Sequence, residues 1–339
     1  MIRMNKNESP YRALTEDEIA QIAIDTHFNE YMEDEYEDLC RLYADFFDLD
    51  PTCIAFANGS DEWIQRAMIV LPEGPMMTFE PDFVMYDVYA EQFNRPIEKI
   101  AVNDDFTYDY EAAIQRIKEV KPAIFIFSQP NNPLGLIHPE EFIVEVSNLM
   151  KEWGGYFILD LAYVEFTDDL PAYPTGDHII RFRTLSKVFG LAGLRVGLAT
   201  STRKTMDVLE SISHPYPLNT FSLNVPRVLL QQPERLQAFI EKNRELANLM
   251  KQVFKEEVGE IIPMIDSHTN FLFTYGEDAV DLGNWITQHG YILRTYPDSA
   301  APSLKKAVRY SIAKEEELEQ LRYIIREWRE KKWSSQKNA

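Results

Sequence analysis

Short apolar runs and longer amphipathic stretches alternate along much of the chain. Ile54-Ala55-Phe56, Met76-Met77-Thr78-Phe79, residues 98–102, 123–127, 156–159, 179–182 and 196–199 have the length and character of strands. Residues 60–70, 83–93, 110–120 and 140–153 repeat their apolar positions at helical spacing. A run that is apolar throughout, such as Ala123-Ile124-Phe125-Ile126-Phe127, needs cover on both faces, as a parallel strand receives from helical crossovers. Ahead of this region, residues 1–15 read as an extended arm. Residues 17–47 read as a helical stretch with at least one break, stopped by Asp50-Pro51.

The rhythm changes later in the chain. Residues 221–258 predict a long helical stretch interrupted near Pro233. Beyond Gly259, strand-like segments at 261–263, 270–275, 291–294 and 308–312 alternate with a helix over 278–289 and another from Lys314. That is an α+β rhythm with a short mixed or antiparallel sheet. The expected fold class is α/β. Residues 1–30 form an arm and the start of a small domain. Residues 31–222 form a large domain around a mostly parallel, seven-stranded-type sheet, and residues 223–339 a small α+β domain.

Composition removes several function classes. Lysine and arginine number 34 against 55 aspartates and glutamates, a formal net charge of -21. A surface that acidic is unsuited to nucleic acid or to an anionic membrane. No apolar run reaches the ~18 residues of a membrane span. The first ten residues lack an apolar signal core. Cys40 and Cys53 are too few for a disulfide framework, so a cytoplasmic location is expected. Six scattered histidines show no metal-ligand spacing, and no metal is expected.

Polar residues close the predicted strands. Asn132, Asp160 and Lys187 follow apolar runs, and the ligand crevice of an open α/β sheet lies at the carboxyl ends of its strands. Asn58-Gly59-Ser60-Asp61-Glu62 joins a strand to a helix start, where unpaired N–H groups bind anions. By itself it reads equally as an ordinary N-cap. In the block from Arg183 to Arg195, Lys187 lies among small residues between two arginines, with Gly190 and Gly193. Nearby positive charge favours the neutral amine that forms a Schiff base, and either arginine can pair with a phosphate. A solvated loop has the same composition.

Taken in order, these segments resemble the fold-type I, pyridoxal-phosphate-dependent aminotransferases of class I/II, and among them the histidinol-phosphate aminotransferases. The resemblance runs from Asn5-Lys6-Asn7-Glu8-Ser9-Pro10-Tyr11 through the Ser60 turn, Gln129-Pro130-Asn131-Asn132-Pro133-Leu134-Gly135, Asp160-Leu161-Ala162-Tyr163 and the Lys187 block to Asn270-Phe271 and Val308-Arg309-Tyr310. It implies the PLP-dependent transferase fold and pyridoxal 5'-phosphate as cofactor. Lys187 is then the Schiff-base lysine and proton carrier, and Asp160 the partner of the pyridine nitrogen. Asn132 and Tyr163 bond the ring 3'-oxygen, and Phe83 stacks on the ring. Ser60, Asp61, Ser186 and Arg195 hold the phosphate. Tyr43 reaches the cofactor phosphate of a partner subunit, which implies a homodimer with shared sites. Arg309 clamps the substrate carboxylate, Arg294 is a second substrate contact, and the arm around Tyr11 covers the substrate.

Three positions depart from the family pattern. Leu161 stands where glutamate is usual, Leu134 where threonine is usual, and Phe83 where tyrosine is usual. They bear on the substrate rather than on the chemistry. The expected reaction is transamination between histidinol phosphate and 2-oxoglutarate. The alternatives are an aromatic or broad-specificity aminotransferase, a decarboxylase of a phosphorylated amino acid, and a non-catalytic binding protein with the same fold.

Overall fold

The computed structural model describes residues 1–299 and 301–337. The first strand, β1 (Ile2–Met4), belongs to the N-terminal arm. Seven strands follow: β2 (Ile54–Asn58), β3 (Met76–Glu80), β4 (Ile97–Ala101), β5 (Ile124–Ser128), β6 (Tyr156–Asp160), β7 (Ile179–Thr184) and β8 (Val196–Thr200). They form one sheet in the order β2-β8-β7-β6-β5-β3-β4. All its pairings are parallel except those of β8, which runs antiparallel to both β2 and β7.

The period-two alternation within β5 shows why the sheet is buried twice over. Ile124 and Ile126 face the core built on helices Ser60–Val70, Met85–Gln92 and Arg203–Glu210. Phe125 and Phe127 face the core built on helices Tyr110–Val120 and Glu140–Glu152. Helix Arg203–Glu210 is an addition to the elements expected from the sequence.

The second sheet joins β1 to β9 (Phe271–Tyr275), β10 (Tyr291–Thr295) and β11 (Ala307–Ser311), in the order β1-β10-β11-β9. It is mixed: β1 is parallel to β10, and the other pairs are antiparallel. It packs on helices Pro233–Val258, Glu277–Gln288 and Glu315–Lys337. Both expected helix breaks occur. Residues 17–47 divide into Glu16–Asp25, opened by a Thr15–Glu18 capping box, and Glu35–Phe47. The later stretch divides into Thr220–Leu230 and Pro233–Val258, with Pro233 in the first turn, where its missing N–H costs no helical bond.

Among the described residues no helix is long and apolar enough to cross a membrane. No group of three or more His, Cys, Asp or Glu side chains there is placed to hold a metal ion.

Candidate active site

Strand order reverses between β3 and β5. Their pairing is confined to Met76–Ile124 and Met77–Phe125, so the two strands part toward their carboxyl ends. A switch point of this kind opens a crevice. A cavity of about 810 Å³ lies there, between the large sheet, the N-terminal arm and β10–β11. Ser60, Asp61, Phe83, Asn132, Asp160, Tyr163, Ser186, Lys187, Arg195, Arg294 and Arg309 all line it.

Asp160 ends β6 at 3 % exposure. Its Oδ2 accepts from the Tyr86 hydroxyl at 2.9 Å, while Oδ1 is buried with no partner. Burial pushes the carboxyl up to about 6, against the Tyr86 bond, which favours the ionised form. Lys187 lies past the end of β7, and its Nζ donates to the Lys6 carbonyl at 3.3 Å. That amine is 5.7 Å from the centre of the Tyr163 ring. The Tyr163 hydroxyl accepts from Asn7 Nδ2 at 2.9 Å.

An anion cradle lies beside this group. Gly59 precedes helix Ser60–Val70 at φ +82°, and a side chain there would come within 2.6 Å of Arg195 Nη2. A Cβ on Gly197 of β8 would strike the Ser60 nitrogen at 2.1 Å. Glycine at both positions lets the helix start press against the strand. Arg195 Nη2 pairs with Asp61 Oδ2 at 2.8 Å, and Nη1 reaches Ser186 Oγ at 3.4 Å. Ser60 is the first helical residue and Gly59 the cap, with no side-chain cap bond. The first N–H groups of the helix are thus left to a ligand.

Across the cavity, Arg309 of β11 is 8 % exposed. It donates through Nη1 to Asn132 Oδ1 and through Nη2 to the Asn5 carbonyl at 3.1 Å. Its guanidinium lies 5.0 Å from the centre of the Phe271 ring. Arg294, opposite it in the β10–β11 register, is exposed beside Tyr296. Among the described residues neither arginine has a carboxylate partner within ion-pair distance. A buried, unpaired guanidinium is expensive unless an anion comes to it.

The model of "Aminotransferase class I and II" matches residues 1–325. The chain belongs to that family. It is 30% identical over 336 residues to the histidinol-phosphate aminotransferase of Pyrococcus furiosus, covering 97% of this chain and 93% of that protein. To the histidinol-phosphate aminotransferase of Caldanaerobacter subterraneus it is 29% identical over 334 residues, 96% and 92% of the two chains. Its fold matches that of the Sinorhizobium meliloti histidinol-phosphate aminotransferase in complex with pyridoxal-5'-phosphate. The TM-score is 0.83 at 24% identity, covering 96% of this chain and 90% of that one. The fold of the L-threonine-O-3-phosphate decarboxylase of Porphyromonas gingivalis also matches, with a TM-score of 0.76 at 16% identity over 97% and 100% of the chains.

As a class I/II aminotransferase the chain uses pyridoxal phosphate, and its residues fit that group. The orphaned Asp160 Oδ1 suits a protonated pyridine nitrogen. The Gly59–Gly197 cradle beside Arg195 suits the phosphate.

Three sequence expectations meet a different arrangement. Tyr43 is fully buried on the inner side of helix Glu35–Phe47, against Phe47 and Phe56, with Arg183 over its ring. A side chain wedged there cannot extend to a partner subunit. The exposed tyrosine of that region is Tyr31, stacked on Tyr216 at 4.3 Å. Tyr11 is absent from the cavity wall and packs on the small-domain core. Arg183 does not face Lys187: strand alternation turns it to Glu165, which it bonds at 2.6 Å, and to the Phe47 ring.

Sequence reasoning did not single out Asp82, Tyr86 or Ser128. Tyr86 follows Phe83 by three positions at a helix start, so a helical wheel would have placed it near the same ligand. Asp82 and Ser128 carried no local signal beyond adjoining Phe83 and the asparagine-proline turn.

Proposed function

We propose that this aminotransferase exchanges the amino group of histidinol phosphate with 2-oxoglutarate, reversibly, giving imidazole acetol phosphate and glutamate. The observation that carries the reading is the pair Arg309 and Arg294, two cations without carboxylate partners on the wall opposite the phosphate cradle. The two relatives at 29% and 30% identity are histidinol-phosphate aminotransferases, which supports the same donor. Histidinol phosphate has no α-carboxylate, so Arg309 meets a phosphate in one half-reaction and a carboxylate of glutamate in the other. A guanidinium fork serves both.

When bound, pyridoxal phosphate supplies an electron sink that lets the donor's α-carbon release a proton. Lys187 Nζ would hold the cofactor and serve as the base that carries this proton. Asp160 Oδ1 would keep a proton on the pyridine nitrogen, and Tyr86 fixes the other carboxyl oxygen. Tyr163 and the Asn132 amide nitrogen would hydrogen-bond the ring's hydroxyl group, and Phe83 would pack against the ring. Backbone N–H groups of Ser60 and Asp61, the Ser186 hydroxyl and Arg195 would hold the phosphate.

The active unit in this reading is a homodimer. Tyr31 and Tyr216, exposed and stacked on each other at 4.3 Å, present an apolar surface patch suited to a second copy of the chain. Cys40 and Cys53 are free thiols, in keeping with a reducing, cytoplasmic setting.

The test is an amino-donor panel on cofactor-loaded protein: L-histidinol phosphate, glutamate, phenylalanine and tyrosine, with carbon dioxide release measured in parallel. Borohydride reduction followed by peptide mass analysis should mark Lys187. Preference for histidinol phosphate is the expected result. Turnover of aromatic acids alone moves the assignment to an aromatic aminotransferase, and carbon dioxide release from a phosphorylated amino acid moves it to a decarboxylase. A marked Lys187 with no donor turned over leaves a binding protein.

A further inference from the structure

We propose that Asp82 is a positioning residue for the substrate clamp: its carboxyl group fixes Ser128, Ser128 fixes the backbone of Asn132, and Asn132 holds the guanidinium of Arg309. The inference rests on the reading of Arg309 as the group that binds the substrate's anion.

The seam between β3 and β5 is where this matters. The two strands pair only at their first residues, so the Ser128 N–H at the end of β5 has no partner on β3. Asp82, two residues past β3, bridges the gap. Its Oδ1 accepts from the Ser128 hydroxyl, from the Ser128 N–H at 3.2 Å and from the Phe83 N–H at 2.7 Å. Its Oδ2 shares the Ser128 N–H at 3.2 Å. A second tie joins the same segments, from Asn131 Nδ2 to the Pro81 carbonyl at 3.4 Å.

The direction of each bond follows from the inventory of donors. The backbone N–H of Asn132 can only donate, and it meets Ser128 Oγ at 2.8 Å. Ser128 Oγ therefore accepts there, and its single proton points to Asp82. Only an acceptor at position 82 completes that arrangement. Asn132 then presents Oδ1 to Arg309 Nη1, linking the end of β5 to β11. Asp82 is half-buried and lines the cavity, and burial pushes its carboxyl up to about 8, the hydrogen bonds from Ser128 and Phe83 working the other way. Protonated on Oδ2 or ionised, it still offers Oδ1 to Ser128. The role thus requires an acceptor of this shape and not a charge.

The experiment uses cofactor-loaded wild-type enzyme and the variants Asp82→Ala, Asp82→Asn, Ser128→Ala, the Asp82→Ala/Ser128→Ala double variant and Arg309→Ala. Succinate, a dicarboxylate without an amino group, reports the clamp by calorimetry, alongside kcat and KM for glutamate. Loss of one aligned hydrogen-bond link should weaken succinate and raise KM about tenfold in both D82A and S128A, with kcat changing less. D82N should stay within about twofold of wild type, because its amide oxygen replaces Oδ1. The double variant should be no worse than either single one, since both cut the same link.

Unchanged succinate affinity in D82A, equal losses in D82N and D82A, or multiplying effects in the double variant would overturn the proposal. If D82A does not accumulate as folded protein, S128A decides alone: wild-type affinity there overturns the link. Arg309→Ala separates the two levels. If it leaves succinate binding intact, the reading of Arg309 fails and the inference with it. If it abolishes binding while D82A and S128A do not weaken it, only the inference fails.

Discussion

Replacing Asp160 by asparagine should make the cofactor-free enzyme less sensitive to pH while impairing its hold on the cofactor. Asp160 is 3 % exposed, and burial raises its carboxyl from 3.8 to about 6. A rise of roughly two units corresponds to about 3 kcal/mol. The sign follows from proton counting. Between those two values the native chain binds more protons than the unfolded chain, so stability falls as pH rises. The contribution is fully present below about 3.8 and lost once pH passes about 6. Asparagine carries no such proton. Its own unpaired amide group adds a constant offset, so the informative quantity is the change with pH. For 339 residues the entropy of unfolding makes about 3 kcal/mol equivalent to a Tm change of about 4 °C. The assay is thermal unfolding of cofactor-free wild type and Asp160→Asn at pH values from 4 to 8. Groups remote from Asp160 are common to both proteins and cancel in the difference, whereas Asp82, pushed up to about 8 by burial and in part by the charge of Asp160, does not, so the difference is read below pH 7. The wild type should lose about 4 °C relative to the variant across that range, and the variant should bind pyridoxal phosphate more weakly at pH 7.5. Parallel Tm curves would refute the argument that burial of an unpartnered Asp160 Oδ1 sets its proton affinity.

Arg309→Ala should raise KM for glutamate by roughly 10- to 150-fold, the worth of charge-assisted hydrogen bonds of about 1.5–3 kcal/mol; steady-state kinetics checks it. Gly59→Ala places an L-residue at φ +82° with its Cβ 2.6 Å from Arg195 Nη2. It should cost about 1–3 kcal/mol of stability and loosen the phosphate cradle, read by denaturation and by cofactor titration. Tyr31→Glu with Tyr216→Glu sets like charges on a stacked, exposed pair. In sedimentation experiments it should shift a dimer toward monomer, and an unchanged species distribution would remove this patch from the interface.

The large sheet was legible because its central strands β5 and β6 are apolar or aromatic until they end abruptly on polar groups. Ala123 to Phe127 and Tyr156 to Leu159 announce burial on both faces, and the residues that follow them fall at the rim of the cavity. The mixed second sheet was legible in type. The parallel pairing of Ile2–Met4 with β10 joins segments nearly three hundred positions apart, and no local pattern announces such a partner. Tyr43 is a different kind of miss. Leu39, Cys40, Tyr43 and Ala44 are the buried face of helix Glu35–Phe47, spaced i, i+1, i+4 and i+5. The placement of Tyr43 at an interface followed from the family resemblance and not from the spacing of its own helix. Helical spacing from Leu39 alone would have put its ring in the core.

The least legible part of the site is the part that depends on direction. Asn132 and Arg309 could be named from motifs, yet the sequence does not say that one holds the other, nor that Ser128 and Asp82 stand behind them. Each of these side chains has ordinary duties elsewhere in proteins, such as turns, caps and surface pairs. Their meaning arises only where two parallel strands diverge and leave the Ser128 N–H without a ladder partner. Once that donor has to be satisfied, the rest follows in order. Asp82 accepts from Ser128, the Ser128 hydroxyl faces one way, Asn132 is set, and Arg309 is aimed across the cavity. In the reading proposed above, a backbone N–H that the sheet leaves without a ladder partner at its switch point is the physical origin of the arrangement around Arg309.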